Sequence, residues 1–543
     1  MQPMSEMMVK TWEPSGHGYD SHVSTTSELS LLLPKGVMPL SSYEGGKYTR
    51  GTANWRPANR SHDALSRETW DLLLARGRWL GRNNPWCRGA QGTFVSNILG
   101  EGGSTRSVVR DSQGVILKDW CKQADEIYRQ WGDYAHVHRD MDLSEMLGVN
   151  LSSTIESGTG LLLEVANPDP RSPVPIAFQP IEIDQLDMSR DRPFRRGRND
   201  GTDDNEIRNG VERDGSGRVV AYWLFTEHPG DGYRYGSWVS ERFPASRVIS
   251  LFRRERPVQH LGTTWFAPIV HVLWDSYEYM KHEIAAAKIA SYFIAMEKRE
   301  NWGSDLDGIT AEDGDRLDAY GNRLSNLAPQ MLIRGGIQDS LDVIRSDRPN
   351  SAAVAWLQFM LQMMAAGLGL SYIRFTGDFS QTNFSSSRAA DLQDRKAFRP
   401  LQKWHAWHVD LEIRERVIDR AIVLGILPIP SGGLTRYMRD RRKWLAAIAR
   451  LPGWGYVDPQ KQVQASITAI ESGLSTWQRE LGDLGLDYEE VFQQLAEEHE
   501  LKQQLGLKLG SELQSPVDAG NAPSGRPQTA STNDVTDEEM IDE

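Results

Sequence analysis

One stretch of the chain limits what it can fold into more than any other. Residues Ser351–Leu370, SAAVAWLQFMLQMMAAGLGL, form a run of twenty residues without a charged side chain. The run is long enough to cross a bilayer, but Gln358 and Gln362 interrupt it, it stands alone, and no basic cluster adjoins either end. A helix that is apolar on all sides is buried. The stretch therefore predicts a helix packed between other helices or between subunits, and no membrane span.

A polar loop follows this stretch and leads into GDFSQTNFSSSRAADLQDRKAFR, the sequence of Gly377–Arg399. Residues 377–386 are rich in Ser, Asn and Gly and contain no Lys or Arg, so little apolar area holds their backbone in place. We predict that residues 371–384 form a mobile loop. Phe379 and Phe384 are the exceptions, and we expect them to pin the loop ends to neighbouring helices.

A long charged helix is predicted over Ser385–Leu424, where the polar loop ends. Ser385 or Ser386 is expected to cap its first turn. Gly425 and the prolines behind it end the helix, and Pro400 should kink or interrupt it. Three charged residues at helical spacing form a face that could pair across subunits: Arg388, Asp391 and Arg395.

The spacing of the apolar residues divides the rest of the chain into segments predicted to be strands and segments predicted to be helices. Residues 155–255 alternate as strands do, with Asp214-Gly215 in the turn of a hairpin. Phe266–Arg299 has apolar residues at helical spacing and predicts a long helix. Residues 300–349 are acidic and Gly-rich, with a strand predicted at QMLIRGG, and residues 429–508 are predicted to be helical.

Three helix starts carry clear capping signals. Pro85 follows two asparagines and suits the first helical position. Asp458 precedes a proline in the same way, and Asp487 and Glu490 have the spacing of a capping box. These residues predict helices that begin near 85, 459 and 488.

The charge of the chain is concentrated at its C-terminal end. The net charge is −13, and residues 511–543 carry eight acidic residues against Arg526 alone. That tail lacks aromatic residues and is predicted to be disordered. The remainder is mildly acidic, which is not the basic surface of a protein that grips nucleic acid by neutralising phosphates. The two cysteines exclude a disulfide framework and a four-cysteine zinc site, and the N-terminus shows no secretory signal.

No catalytic pattern stands out. GEGGSTRS at Gly100–Ser107 lacks the Lys of a P-loop, and no Gly-x-Ser-x-Gly elbow occurs. His136 and His138 with Asp140, and His405 with His408, offer at most two metal positions each. We therefore expect no cofactor and no metal.

Charged clusters remain open to more than one interpretation. The acidic group between Asp305 and Asp318 lacks EF-hand spacing, and a solvated loop is the default. Three arginine-rich clusters could touch DNA, but such clusters are more often solvated or paired with acids of a neighbouring subunit; they lie at residues 190–198, 253–256 and 436–443.

Several blocks, taken in order, resemble one family. LGRNNPWCRGAQGTFVSNILGEG resembles the N-terminal signature of the lambda-type portal proteins of tailed bacteriophages. Four further segments look like later blocks of the same family: the hairpin, FPASRVISLFRRERPVQHLGTTWFAPIV, the uncharged helix and YVDPQKQVQASITAIESGLSTWQRELGDLGLDYEEVFQQLAEEHE. The most specific block is Gly377–Arg388. The family commonly has Tyr where Phe379 and Phe384 stand, which keeps the aromatic ring and loses a hydroxyl.

The resemblance implies an α+β subunit of a ring, typically of about twelve copies. It implies an α/β wing, a two-helix stem, a small α/β clip and a helical crown. The implied order is an N-terminal arm (1–59), wing (60–265), first stem helix (266–299), clip (300–350), second stem helix (351–370), tunnel loop (371–384), long wing helix (385–428), crown (429–508) and acidic tail (509–543).

The resemblance also implies a function without catalysis. The ring would be the DNA channel at one capsid vertex, through which the genome is packaged, retained and ejected. Its partners would be double-stranded DNA, the terminase large subunit that hydrolyses ATP, the major capsid protein and a head-tail adaptor protein, in the virion and, during assembly, in the host cytoplasm. No membrane is expected.

Three sets of site residues follow from this domain order. The channel loop would contribute Arg374, Asp378, Ser380, Gln381, Thr382 and Asn383. The subunit interface would include Leu357, Leu361 and Met364. The clip would meet terminase and adaptor through Asp305, Asp307, Asp313 and Asp315.

Two alternatives from other classes remain. One is a nuclease-like enzyme with carboxylate metal ligands between Asp305 and Asp318. The other is a head-completion or scaffold protein without a channel. The oligomeric state separates them, since a ring with a central hole indicates a portal protein and metal-dependent cleavage of nucleic acid indicates the enzyme.

Overall fold

The computed structural model divides the chain into two units, residues 1–60 and 61–543. It describes residues 50–51, 53–100, 102, 104–193, 205–231, 239–291, 295–298, 332–335, 353–380, 382–429, 433–456 and 458–506. The acidic tail, most of the predicted clip and most of the N-terminal arm lie outside these residues. All elements described below belong to the second unit.

Helices dominate the described part of the second unit. They are α1 (His62–Asn83), α2 (Pro85–Leu99), α3 (Lys118–Gly132), α4 (Leu143–Ser157), α5 (Val270–Ser291), α6 (Ala353–Leu368), α7 (Tyr372–Thr376), α8 (Phe384–His405), α9 (Leu411–Val423), α10 (Gly433–Arg439), α11 (Arg441–Trp444), α12 (Pro459–Glu471), α13 (Trp477–Asp483) and α14 (Tyr488–Leu505). Short 3₁₀ turns lie at Ile183–Gln185, Ala245–Arg247 and Ala267–Ile269.

The strands form small sheets. They are β1 (Ser104–Ser107), β2 (Thr159–Ala166), β3 (Ile176–Ile181), β4 (Glu206–Arg208), β5 (Val211–Arg213), β6 (Val219–Phe225), β7 (Ser240–Pro244), β8 (Val248–Phe252), β9 (Ala295–Lys298), β10 (Leu332–Gly335) and β11 (Ala447–Arg450). Antiparallel sheets have the orders β3-β2-β8, β4-β5-β6-β7 and β1-β11, while β9 and β10 pair in parallel. The mixture of helix and strand agrees with the predicted α+β class, and β10 lies where a strand was expected.

Local signals set the boundaries of several elements as predicted. The side-chain oxygen of Asn84 accepts hydrogen bonds from the backbone N–H groups of Trp86 and Cys87 at 3.0 and 3.1 Å, with Pro85 at the first helical position. In the hairpin between β5 and β6, Oδ1 of Asp214 accepts from the N–H of Ser216 at 2.9 Å. These contacts confirm the helix start and the hairpin.

Two apolar clusters form the core of the second unit. The larger one joins α2, α3 and α4 to β2, β3, β8 and the long helix, and it includes Trp131, which is completely buried. Phe94 and Trp265 meet edge to face within it, with ring centroids 5.0 Å apart. The smaller cluster lies between α1 and the sheets.

The long helix continues through Pro400 without the interruption that was one of the two outcomes predicted there, the other being a kink. Phe398 and Gln402 on either side are 1% exposed, and Nε2 of Gln402 donates to the carbonyl of Asn97 at 2.8 Å. Tertiary packing on both sides therefore outweighs the hydrogen bond that proline cannot donate. The interruption comes later, as a π-helical turn at Ala406–Asp410 between α8 and α9.

The helix predicted over Phe266–Arg299 is shorter in the structure. A 3₁₀ turn occupies Ala267–Ile269, and α5 begins at Val270 and ends at Ser291. Residues 295–298 form β9 instead of continuing the helix. Pairing with β10, which is distant in sequence, decides this boundary.

Candidate subunit-contact face and channel loop

Helices α5 and α6 pack against each other through a glycine. A Cβ atom at Gly367 would overlap Cγ2 of Ile269, in the 3₁₀ turn that leads into α5. The C-terminal end of α6 therefore meets the beginning of α5, and only a residue without a side chain fits at this approach. The helices are neighbours although about sixty residues separate them in the chain.

The uncharged stretch forms helix α6, but only part of its surface is buried in its own chain. The buried side comprises Ala353, Met360, Met364, Ala365 and Leu368. Three large apolar side chains on the other side lie in solvent, Trp356 at 50%, Phe359 at 51% and Met363 at 42% exposure. We call these three residues the outer face of α6. Val354 is also exposed but projects from a different side of the helix, because it is two residues from Trp356. No helix among the described residues is long and apolar enough to span a membrane.

The structure changes which residues of α6 could contact another subunit. Met364 is completely buried within its own chain, so its assignment to a subunit interface is wrong. Leu361 is half-buried and packs against the core, and Leu357 is half-buried. The outer face was missed because nearly every residue of the stretch is apolar, and such a sequence does not indicate which side faces inward.

Helix α5 also presents aromatic side chains to solvent. Trp274 and Tyr277 are 49% and 39% exposed. Both rings contact Trp79 of α1, with centroids 6.2 and 5.8 Å from it. These aromatic rings therefore pack against α1 of their own chain on one side and are exposed to solvent on the other.

The first half of the predicted mobile loop is anchored. Ser371 caps α7, and its backbone N–H and Oγ both donate to Asp394 of α8, at 2.9 and 2.6 Å. Gly377 ends α7 in the left-handed conformation, with φ of 71°. The prediction of a loop is thus wrong for residues 372–376, which form α7, and the buried carboxylate of Asp394 anchors the start of this helix.

The charged residues predicted for the channel loop already have partners in their own chain. Nη2 of Arg374 lies 2.6 Å from Oδ1 of Asp391. Asp378 accepts hydrogen bonds from the hydroxyl of Tyr372 at 3.1 Å and from the N–H of Ser380 at 2.9 Å. The hydrogen bonds from Ser380, and less strongly that from Tyr372, lower the pKa of Asp378 below 3.8. No phosphate would meet an unpaired arginine at position 374.

The polar part of the loop leads into the N-cap of α8, which lies at a different residue from the two that were predicted. Oδ1 of Asn383 accepts from the N–H of Ser386 at 2.8 Å, and the Ser386 hydroxyl reaches back to the N–H of Asn383 at 3.1 Å. The N-cap of α8 is therefore Asn383, and Ser386, the third residue of the helix, completes the capping box, so neither predicted serine is the cap itself. Ser380 is exposed, Thr382 donates to the carbonyl of Phe379 at 2.9 Å, and Gln381 lies outside the described residues.

The expectation that Phe379 pins the loop is wrong, because Phe379 is 61% exposed. The side chain of Phe384 lies outside the description. The face with Arg388, Asp391 and Arg395 could pair across subunits, and this stays a prediction. Within the chain, Asp391 bonds to Arg374 and, at 2.7 Å, to Arg395.

The histidine pairs considered from sequence do not form metal sites among the described residues. His136 contacts Asp140, and Nδ1 of buried His405 lies 3.2 Å from Oδ1 of Asp410. His408 bonds to the carbonyl of Trp404 at 2.8 Å.

Among the described residues, one group of side chains lies close enough together to hold a metal ion: Glu182, Asp184 and His228. Arg78 already bonds to both carboxylates, at 2.7 and 2.5 Å. The N–H of Gly230 donates to Nδ1 of His228 at 2.9 Å, which leaves the ring proton on the nitrogen that faces the acids. The group is an arginine-bridged cluster. The acids Asp305, Asp307, Asp313 and Asp315 lie outside the described residues.

The arginine-rich clusters are largely engaged with their own chain. Arg190 stacks on Trp223 with 3.6 Å between the guanidinium carbon and the ring centroid, and Arg254 lies 5.4 Å from the ring of Phe252. Arg441 bonds to Asp419 at 3.0 Å.

Comparison with known proteins identifies the class. Residues 48–402 match the family described as phage portal protein, lambda family. This match covers well over half of the chain and contains α5, α6 and the predicted channel loop, so the protein is a phage portal protein. The chain belongs to the lambda family of these proteins.

Named relatives cover nearly the whole chain. The sequence is 23% identical over 483 residues to a protein of Halomonas phage phiHAP-1 named "Probable portal protein", covering 86% of this chain and 88% of that one. It is 24% identical over 513 residues to "Portal protein B" of Escherichia phage lambda, covering 88% and 94%. Among solved structures, a chain of the virion of a native gene transfer agent particle aligns with a TM-score of 0.35 at 13% identity, covering 79% of this chain and 95% of that one.

Proposed function

We propose that copies of this chain form a ring of roughly twelve around a channel for double-stranded DNA at one capsid vertex. The ring serves packaging, retention and ejection of the genome. It is a structural component of the virion and no enzyme, and the terminase large subunit supplies the ATP-driven force. The major capsid protein surrounds the ring, and a head-tail adaptor protein binds it after packaging.

The outer face of α6 carries this proposal. Three large apolar side chains, Trp356, Phe359 and Met363, lie on one side of the helix, and the rings of Trp356 and Phe359 are 6.0 Å apart. Covering a Phe or Met side chain completely stabilises by about 1.5–3 kcal/mol, so leaving all three in water is unfavourable. A neighbouring copy that covers this face with a different surface of its own makes a head-to-tail contact, and repetition of that contact gives a ring when the rotation between copies closes.

The C-terminal helices α12, α13 and α14 support the same arrangement. Every residue of the three helices is described, and none is buried. Trp477, Phe492, Leu495 and Leu505 are among their exposed apolar residues. Helices in this state gain a core only from another copy.

The loop before α8 suits a surface along which DNA slides. Each lysine or arginine that contacts a phosphate adds a sequence-independent attraction that would hold DNA in place. The segment Ser371–Asn383 contains one cation, Arg374, and Asp391 neutralises it. Ser380, Thr382 and Asn383 offer hydroxyl and amide groups without net charge.

The ring is tested by substitution of the outer face. The double substitution Trp356→Asp and Phe359→Asp should yield folded single chains, because an unpaired charge in a buried interface costs several kcal/mol, about 3–5 in comparable cases. Val258→Asp is the matched control, since Val258 is also an exposed apolar residue but lies outside α5 and α6.

Mass photometry and negative-stain images provide the readout, and circular dichroism confirms that the variants are folded. The parent and Val258→Asp should give rings with a central hole. A parent protein that stays monomeric at all concentrations and salts, or a doubly substituted protein that still forms rings, would refute the role of α6.

We assign the contacts with terminase and adaptor to the clip, residues 300–350. Its acidic side chains Asp305, Asp307, Asp313 and Asp315 would face basic surfaces of these partners. Charge reversal at Asp313 and Asp315 should weaken terminase binding in a pull-down while rings persist. Unchanged terminase binding after reversal of all four acids would exclude the clip as the docking site.

A further inference from the structure

A pocket rich in arginine lies where the three-stranded sheet meets the C-terminal part of the long helix. Its volume is about 470 Å³. Val165 and Ile176, from β2 and β3, contribute to its apolar wall. Its charged lining consists of four arginines and two carboxylates: Arg247, Arg416, Arg420, Arg441, Glu164 and Asp419.

The arginines are incompletely paired. Arg247 donates from Nε and Nη2 to the main-chain carbonyl of Glu164, at 3.2 and 2.8 Å, and no carboxylate of the described residues contacts it in an ion pair. Arg420 reaches Oε1 of Glu164 only at 3.5 Å. Arg441 uses Nε for Asp419 at 3.0 Å, which leaves both of its terminal nitrogens for other acceptors.

Arg416 is the most engaged of the four. It bonds to Glu412 at 2.9 Å, outside the pocket lining, and lies 3.3 Å from Glu164. Even when Glu412 is counted, four guanidinium groups face three carboxylates, and the pocket retains a surplus of positive charge. A guanidinium group has five N–H donors, so Arg247, Arg420 and Arg441 together retain many unused donors around one concave space.

We propose that this pocket binds a phosphate group, as inorganic phosphate or as a phosphate monoester. Guanidinium groups bind phosphate oxygens in paired, charge-assisted hydrogen bonds. A phosphate monoester carries about −1.5 to −2 charges at neutral pH and has three strong acceptor oxygens. It can therefore accept from three arginines at once, which a carboxylate with two oxygens does less completely.

The arrangement favours such a terminal phosphate over the backbone of duplex DNA. A phosphodiester has only two free oxygens and one charge, and the duplex would have to bring it into a concave site with an apolar wall. The bound anion would connect the turn before β8 (Arg247) with α9 (Arg416 and Arg420) and α11 (Arg441), parts of the chain that are distant in sequence. The inference does not depend on the ring, because every group involved belongs to one chain.

The test measures binding of inorganic phosphate to the full-length protein by calorimetry, and thermal unfolding with sodium phosphate against sodium chloride at equal ionic strength. We expect a saturable rise in Tm of about 2 °C or more with phosphate alone. Arg247→Gln together with Arg420→Gln should weaken phosphate binding about tenfold or more. Arg171→Gln is the control, since Arg171 is an exposed arginine that pairs with Asp169 outside the pocket.

Further anions separate the sources of the ligand. Phenyl phosphate should compete with inorganic phosphate, whereas dimethyl phosphate and acetate should not. Equal effects of phosphate and chloride, or binding that survives the double substitution, would overturn the proposal. Equal competition by acetate would show a carboxylate site, and binding of a duplex without terminal phosphates through the same arginines would show a DNA contact; either result overturns the assignment to a terminal phosphate.

Discussion

The predicted wing and the C-terminal helices of this chain differ in how their side chains are buried. In the predicted wing, Trp131 is completely buried, its Nε1 donates to the carbonyl of Ile176 at 2.7 Å, and its ring stacks on Tyr128. In α12, α13 and α14 no residue is buried, and Phe492 contacts the rings of Trp477 and Tyr488. The first region therefore has a core within one chain, whereas the C-terminal helices have no buried residue in the single chain.

Charged and close backbone contacts join the two regions. Arg106 of β1 bonds to Asp487 at 2.7 Å, and Arg450 of β11 bonds to Glu490 at 2.6 Å, so the β1-β11 sheet holds the start of α14. A Cβ atom at Gly453 would overlap the backbone of Leu484. The C-terminal helices are thus fixed at their base, while their apolar sides stay open.

The largest expected effect separates the two regions directly. Trp131→Ala should lower the free energy of unfolding by about 3–5 kcal/mol, because it removes a buried ring and its hydrogen bond. Phe492→Ala should change it by less than about 1 kcal/mol in the non-assembling background of Trp356→Asp and Phe359→Asp.

Urea unfolding of the protein with Trp356→Asp and Phe359→Asp measures how Trp131→Ala and Phe492→Ala change the free energy of unfolding. The stability of assembled rings is a second measurement for Phe492→Ala. Phe492→Ala should weaken assembled rings even though it leaves the single chain unaffected. If Phe492→Ala destabilised the single chain as much as Trp131→Ala, the C-terminal helices would have a core of their own and the comparison would fail.

A smaller effect is expected at the contact of α5 with α6. A substitution there tests the buried side of α6 independently of its outer face. Gly367→Ala should destabilise by about 1–3 kcal/mol, because the new methyl group overlaps Ile269. Gly89→Ala in α2 is the control, since no atom lies within 4 Å of its added Cβ, and alanine should there stabilise the helix by up to about 1 kcal/mol. Equal thermal unfolding of both variants would show that the helices do not meet at Gly367.

The smallest effect concerns the ion pairs at the base of α14. Burial opposes ionisation of Asp487, but hydrogen bonding and the charge of Arg106 outweigh it and hold the pKa of Asp487 below 3.8. A carboxyl group with a lowered pKa stabilises the fold above its unfolded pKa, and this contribution is lost as pH falls through the folded value. Attachment of α14 should therefore be constant from pH 7 to about 5 and weaken below about 4.

Asp487→Asn should cause the same loss at neutral pH, on the order of 1 kcal/mol, since asparagine preserves the N-cap and removes only the charge. Hydrogen exchange of residues 488–505 is the measurement. Glu126→Gln, which breaks an exposed pair with Arg129, should leave exchange unchanged. Protection of α14 that is insensitive to both pH and Asp487→Asn would show that the backbone contact at Gly453 suffices.

Features that depend on residues close together in the chain were predictable from the sequence. Asn84 with Pro85, and Asp458 with Pro459, mark helix starts because the cap and its N–H donors are three residues apart or fewer. The hairpin turn at Asp214 likewise depends only on residues next to it in the chain. The family was also evident from the sequence, because its motifs occur as ordered blocks.

Features that depend on contacts between distant parts of the chain were not predictable. Asp394 and Asp391 hold residues predicted to be mobile, packing carries the long helix past Pro400, and the π-helical turn appears where no local signal predicts one. The burial of Met364 and the exposure of Trp356 could not be predicted for a similar reason. When a helix is apolar on every side its sequence has no amphipathic pattern, and only the packing of α5, α6 and the wing selects the side that is buried.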